Sequence, residues 1–177
     1  MTTQIKEDLP VTGQAQQYLT FMLGGEMFAI GILAIKEIIE YGGLSVVPMM
    51  PECIRGVINL RGAVLPVMDL QSRFGRPPSV PTKRSCIVIV ETDNAGERQD
   101  VGVIVDAVNA VLEIPASDIE PPPAFGTRIR GEFISGMGKL GGRFVILLDV
   151  NRALSAEDLA AIAQDARHDS LDTALAA

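Results

Sequence analysis

The 177-residue chain holds few side chains whose types and spacing could do chemistry. Its single histidine, His168, lies in a polar tail, so neither a Ser-His-Asp triad nor a histidine-based metal site can be assembled. Asp69 and Asp149 each end an apolar run and precede a short polar stretch. A catalytic carboxylate pair or a pair of helix N-caps would both use them, and the strand-to-turn position favours capping. Gly136-Met137-Gly138-Lys139-Leu140-Gly141 satisfies the G-x-G-x-x-G string of dinucleotide-binding loops. Such a loop must lead into a helix, so that phosphate meets a helix N-terminus. Here the string leads into GRFVILLDV, a strand pattern, and it reads as a turn. Cys53 and Cys86 are isolated, form no C-x-x-C pair and read as reduced buried thiols of a cytosolic protein, with their mutual pairing left open. No cofactor, metal or enzymatic activity is expected from this set.

Arg61 stands between apolar Leu60 and turn-forming Gly62. A guanidinium is a planar donor fork suited to carboxylates, which gives two readings: recognition of a partner, or an ion pair within the domain to Glu37 or Glu40. The elements around it bear on that choice, because the chain says nearly the same thing twice. IRGVINLRGAVLPVMDL (Ile54 to Leu70) matches ISGMGKLGGRFVILLDV (Ile134 to Val150) at an offset of 80 (134 − 54), pairing Gly56 with Gly136, Gly62 with Gly142 and Asp69 with Asp149. FAIGILAIKEIIE (Phe28 to Glu40) resembles VGVIVDAVNAVLE (Val101 to Glu113) at an offset of 73 (101 − 28), so the second copy has a longer connection, holding Pro121, Pro122 and Pro123. Two copies are too few for a solenoid and point to two similar subdomains. Asn59 and Arg61 of the first copy face Lys139 and Gly141 of the second. An arginine that the duplicated hairpin can omit suits recognition.

Hydrophobic residues make up 47% of the chain, enough for a substantial core; with aromatics at 5% and no Trp, that core is expected to be aliphatic. The net charge of −7 and the lack of Lys/Arg runs argue against nucleic acid and anionic membrane surfaces as partners. No apolar run reaches the length of a membrane span, and the first residues carry no apolar signal segment. Residues 1–15 read as a disordered tail. YLTFML and EMFAI form a hairpin about Gly24-Gly25, and ILAIKEII reads as a helical turn passing into a strand. VINLR and AVLPVMD form a second hairpin, in which Pro66 calls for an edge position or a bulge. DLQSRFG is a helical turn closed by Gly75, RPPSVPTKR (near 75–84) a connector, and the strand pattern then repeats. Short strands punctuated by Gly and Pro suggest small barrels. From Ser155 the sequence reads as a helix with Leu159, Ile162 and Ala166 on a face that docks on the body, residues 161–177 holding the end of that helix and a mobile tail.

Taken with their order and spacing, LGGEMFAIGILAIKEI, PECIRGVINLRGAVLPVMDL, VGVIVDAVNAVLEI and GMGKLGGRFVILLDV resemble the CheW-type coupling proteins of bacterial chemotaxis. The N-L-R-G box followed by P-V-x-D-L is the most specific element. The resemblance implies an all-β fold over residues 16–160: two interleaved five-stranded SH3-like β-barrels with a core between them and a C-terminal helix. It implies a cytoplasmic, non-enzymatic adaptor that bridges the regulatory domain of the histidine kinase CheA and the tips of methyl-accepting chemotaxis receptors, recruited to membrane arrays without inserting. The family's contact positions fall on Ile35, Glu37, Gly56, Arg61 and Gly62, with Asn59 in the same box. Service to another CheA-like kinase pathway, and a small-molecule module using the crevice between the barrels, are the alternatives.

Overall fold

The computed structural model describes residues 15–94, 96–122 and 131–154. The chain runs β1 (Ala15–Leu23), β2 (Glu26–Gly31), β3 (Ile35–Glu40), β4 (Ile54–Leu60), β5 (Ala63–Asp69), α1 (Leu70–Arg73), β6 (Cys86–Asn94), β7 (Glu97–Val105), β8 (Ala107–Pro115), β9 (Ile119–Glu120), β10 (Ile134–Leu140), β11 (Arg143–Leu148) and α2 (Val150–Ala153). Short 3-10 turns occupy Ile32–Ala34, Ala116–Asp118 and Gly131–Phe133. The ILAIKEII segment is thus a helical turn running into a strand. The expected C-terminal helix, with Leu159, Ile162 and Ala166, and the tail with His168 lie outside the described residues.

The two duplicated hairpins have one register. Ile54 faces Met68 and Gly56 faces Val67, as Ile134 faces Leu148 and Gly136 faces Leu147, with the pairing shifted at the same place in each. Both end in a two-residue turn with positive φ at both positions, 53° and 87° at Arg61-Gly62, 52° and 83° at Gly141-Gly142. That is the type I′ turn whose twist matches paired strands. The string Gly136–Gly141 is therefore a strand and its turn, with no helix N-terminus to receive a phosphate.

Two sheets result, ordered β8-β1-β2-β11-β10-β9 and β3-β6-β7-β5-β4. Each curls until its far edges meet. Ile119–Glu120 leaves β8 through a 3-10 turn to pair with Met137–Gly138 of β10. In the other sheet Ser45, just beyond β3, bridges Val57 of β4. A glycine permits each closure: a Cβ on Gly56 would lie 2.5 Å from the Ser45 carbonyl oxygen, and one on Gly136 would lie 2.7 Å from Ile119 and 3.1 Å from the Glu120 carbonyl oxygen.

Neither barrel is built from one copy. The β1–β2 hairpin of the first copy joins β8–β11 of the second, with β2 parallel to β11; the β6–β7 hairpin of the second joins β3–β5 of the first, with β5 parallel to β7. Ile58, Leu65, Val67, Ile87, Ile89 and Ile104 fill one barrel, while Ala29, Ile114, Val145 and Leu147 fill the other. A larger core lies between them, to which both sheets contribute. Because strand side chains alternate, β6 sends Ile87 and Ile89 into its barrel and Val88 and Val90 into the shared core.

The shared core corrects the expectation of a purely aliphatic interior. Phe21, Phe28, Phe74 and Phe133 form a continuous run with ring centroids 5.9–6.2 Å apart, and the Arg73 guanidinium lies 4.9 Å from the Phe133 centroid. Four of the chain's six phenylalanines thus lie where the two barrels are joined. A second correction concerns Pro66. Its strand is interior, flanked by β4 and β7. The closing pair of a two-residue hairpin, Leu60–Ala63, exchanges hydrogen bonds, so alternation leaves Val57–Pro66 a non-bonded pair whose missing N–H points away from β4. On that side pairing with β7 begins only at Val67, so no ladder bond is lost.

Candidate recognition site

The expected contact residues gather around β3 and the β4–β5 turn. The pairing of β3 with β6 shifts between Ile35 and Glu37, and such bulges re-aim side chains. Lys36 at the bulge bonds Asp100 at 3.1 Å and lies 3.3 Å from Glu91, fastening β3 to β7 and β6. Those two hydrogen bonds, to Asp100 first, raise the Lys36 pKa above its ordinary value. Glu37 is aimed at the hairpin tip, where both of its oxygens accept from Arg61: Nη1 to Oε2 at 3.0 Å and Nη2 to Oε1 at 2.7 Å. The fork-to-fork geometry is the strongest an arginine and a carboxylate can form. Its setting is wet, with 75% of the arginine side chain and 27% of the glutamate exposed, so its net contribution to folding is about 0–1 kcal/mol.

Arg61 carries this contact at a conformational cost. Its φ of 53° lies in the left-handed region, which Cβ-bearing residues adopt uncommonly. The second copy has Gly141 with the same φ, and Ala110 occupies the position equivalent to Glu37 at the 73-residue offset (110 − 37). Lys139, equivalent to Asn59, instead pairs with Glu120 at 2.7 Å, which raises its pKa. The intradomain pair with Glu37 is thus formed, Glu40 does not take part in it, and the pair exists in only one barrel.

The other candidates divide by burial. Asn59 is exposed, and its Oδ1 accepts from the Gly62 N–H at 2.9 Å. Gly62 supplies the second positive φ of the turn, whereas buried Gly56 lies against the Ser45 carbonyl where the barrel closes. Ile35 packs partly into the shared core, while Ile38 is 42% exposed on the outer side of β3. Exposed apolar residues that escaped the sequence reading include Val64 beside the hairpin turn and Leu33, 98% exposed in the 3-10 turn leading to β3. Alternation along β5 signals Val64, but a 3-10 turn offers no such pattern for Leu33.

Elsewhere the chemistry is structural. Asp69 is fully buried; it caps α1 by accepting from Gln71 N–H at 3.0 Å, pairs with Arg55 at 3.0 Å and holds the connector through the Ser79 N–H and hydroxyl, both at 2.8 Å. Asp149 caps α2 through Arg152 N–H. Cys53 and Cys86 are half-buried thiols, and neither is joined in a disulfide. A crevice of about 690 Å3 opens where the chain crosses between barrels, lined by residues including Ile30, Leu33, Glu113 and Val150. Its titratable liners are Glu113 and the capping Asp149, with no nucleophile beside a base. Among the described residues no His/Cys/Asp/Glu cluster could hold a metal ion, and no helix is long and apolar enough to cross a membrane.

Residues 17–158 match the profile of the CheW-like domain. The chain is 38% identical over 147 residues to a chemotaxis protein CheW from Klebsiella aerogenes, covering 83% of this chain and 86% of that protein. It is 30% identical over 148 residues to a chemotaxis protein CheW from Rhizobium meliloti, covering 84% and 93%. Among solved structures it resembles the scaffolding protein TtCheW from Thermoanaerobacter tengcongensis, with a TM-score of 0.73 and 34% identity, covering 82% of this chain and 96% of that one. With the family profile spanning most of the chain and the same scaffold seen in a solved relative, this chain belongs to the CheW-like domain family.

Proposed function

We propose that the chain is a non-enzymatic chemotaxis adaptor that joins the cytoplasmic tips of methyl-accepting receptors to the regulatory domain of a CheA-like histidine kinase. The face made by β3 and the β4–β5 turn is its contact surface, with Arg61 and Glu37 at the centre and Ile38 and Val64 as apolar flanks. One observation carries this reading: an exposed arginine is kept in a left-handed turn position that the equivalent hairpin fills with glycine. Strained residues that persist in one copy of a duplicated fold ask for a reason outside the fold. The pair with Glu37 leaves the remaining Arg61 N–H donors open to a partner's carboxylate or carbonyl. The apolar flanks suit one face of an amphipathic helix, the form of a receptor tip. Crevice chemistry has no comparable support, since its walls hold no reactive pair.

The test is capture on the full-length chain from native cytoplasm and membranes. A CheA-like kinase and receptor fragments should be recovered together. Arg61→Ala should weaken both or one of these contacts with folding retained, and the loss should shrink at high salt, where charge contacts are already screened. Recovery of neither partner by the wild type, or undiminished recovery by Arg61→Ala, contradicts the proposal.

A further inference from the structure

We infer that Asn59 is a positioning residue for Arg61, acting through the turn and not by touching a partner; this rests on Arg61 being a contact residue, as proposed above. In a two-residue hairpin turn the N–H of the second turn residue has no ladder partner. In the first copy that N–H, on Gly62, donates to Asn59 Oδ1 at 2.9 Å. The bond ties Asn59 of β4 to the residue after Arg61, so it spans Leu60 and Arg61 and holds Arg61 at φ 53°. From that backbone position the guanidinium reaches both oxygens of Glu37.

The second hairpin serves as a control built into the same chain. Its register and its turn angles are the same. Its first turn residue is Gly141, which adopts positive φ without steric cost and needs no brace. The position equivalent to Asn59 there is Lys139, which has no acceptor atom and turns outward to Glu120. The acceptor is present where the left-handed residue carries a side chain and absent where it does not. Asn59, exposed and on the outer side of β4, is thereby assigned the task of fixing the direction of the Arg61 fork. A fork fixed before binding loses less freedom on forming paired hydrogen bonds.

A double-mutant cycle tests this, with receptor-tip fragment and kinase regulatory domain as separate probes of the full-length protein. Asn59→Ala should weaken binding by about three- to tenfold, the span of one hydrogen bond of ordinary net strength. Asn59→Asp keeps the acceptor and should bind within about twofold of the wild type, well inside the factor of ten that 1.4 kcal/mol represents. In an Arg61→Ala background, Asn59→Ala should cause no further loss, because coupled residues are non-additive. Melting temperatures of all variants report folding separately. Full additivity overturns the inference and makes Asn59 a contact in its own right. Wild-type binding by Asn59→Ala, with Arg61→Ala impaired, also overturns it while leaving the role of Arg61 intact. Unimpaired binding by Arg61→Ala removes the underlying proposal and this inference with it.

Discussion

Arg61→Gly gives the first hairpin the residue that the second already has. The left-handed conformation costs an L-residue about 1–2 kcal/mol, which glycine does not incur. Against that gain stand the lost pair with Glu37, about 0–1 kcal/mol at this exposure, and the greater freedom of glycine in the unfolded chain, about 0.5–1 kcal/mol. The terms nearly cancel, so Arg61→Gly should be as stable as the wild type within about 1 kcal/mol, or roughly 2–4 °C in melting temperature for a domain of this size. Arg61→Ala loses the same pair and keeps a Cβ in the left-handed region. It should be less stable than Arg61→Gly by about 0.5–1 kcal/mol. With no Trp in the chain, urea unfolding is best followed by far-UV circular dichroism. Both variants should lose partner binding to the same degree. An alanine variant as stable as the glycine variant would falsify the account of the turn. A glycine variant destabilised by more than about 2 kcal/mol, beyond what surface sites show, would make Arg61 a strut of the barrel and not its recognition group.

The barrel-closing glycines should respond unequally. Gly56→Ala meets the Ser45 carbonyl oxygen at 2.5 Å and should cost about 3 kcal/mol or more, whereas Gly136→Ala meets the γ2 methyl of Ile119 at 2.7 Å and the Glu120 carbonyl oxygen only at 3.1 Å and should cost less, within the about 1–3 kcal/mol of ordinary overpacking; urea midpoints compare them. Asp69→Asn strips the buried partner of Arg55 and should cost about 3 kcal/mol, while Asp149→Asn keeps a capping side chain and should cost a few tenths, measured by the same transitions. Phe74→Ala breaks the ring series between the barrels and should cost about 3–5 kcal/mol by calorimetry. Because its partners raise the Lys36 pKa, the Lys36 contribution is complete below the ordinary lysine value and disappears as pH climbs through the raised one. Melting temperatures of wild type and Lys36→Met should therefore converge in strong alkali, and a constant gap would count against the pairing with Asp100 and Glu91.

Local features were legible because they leave local marks. Gly24-Gly25 and Gly62 announce their turns, Asp69 and Asp149 stand where caps stand, and the 80-residue offset carries one hairpin onto the other, bulge included. What the repeat conveys is which segments correspond, not which share a sheet: pairing of β2 with β11 and of β5 with β7 joins residues far apart and has no periodicity to read. Composition misjudged the core because a low aromatic total does not say where the rings sit, and Phe21, Phe28, Phe74 and Phe133 all sit in one place. Pro66 misled for a related reason. The rule that proline avoids interior strands holds for a paired N–H, and pairing there starts one residue later. Arg61 showed its asymmetry in the sequence. Its left-handed backbone belongs to the two-residue turn, and its choice of Glu37 over Glu40 depends on where β3 lies across the closed barrel.

The exchange of hairpins between the barrels bears on how the chain emerges from the ribosome. When synthesis has passed β5, β1–β2 awaits β8 and β11, and β3–β5 awaits β6 and β7. No barrel can close on the first copy alone. One is sealed only once the β6–β7 hairpin is out, and the other only when β11, near the end of the described chain, has been made. Strand edges of the nascent first half therefore stand open throughout the synthesis of the connector, a window in which a neighbouring nascent copy offers the same complementary hairpins. Ribosome-bound chains arrested with residues up to Gly75 outside the ribosome should bind a trans-supplied fragment spanning residues 85–154, whereas arrest with the second copy also outside should abolish that capture.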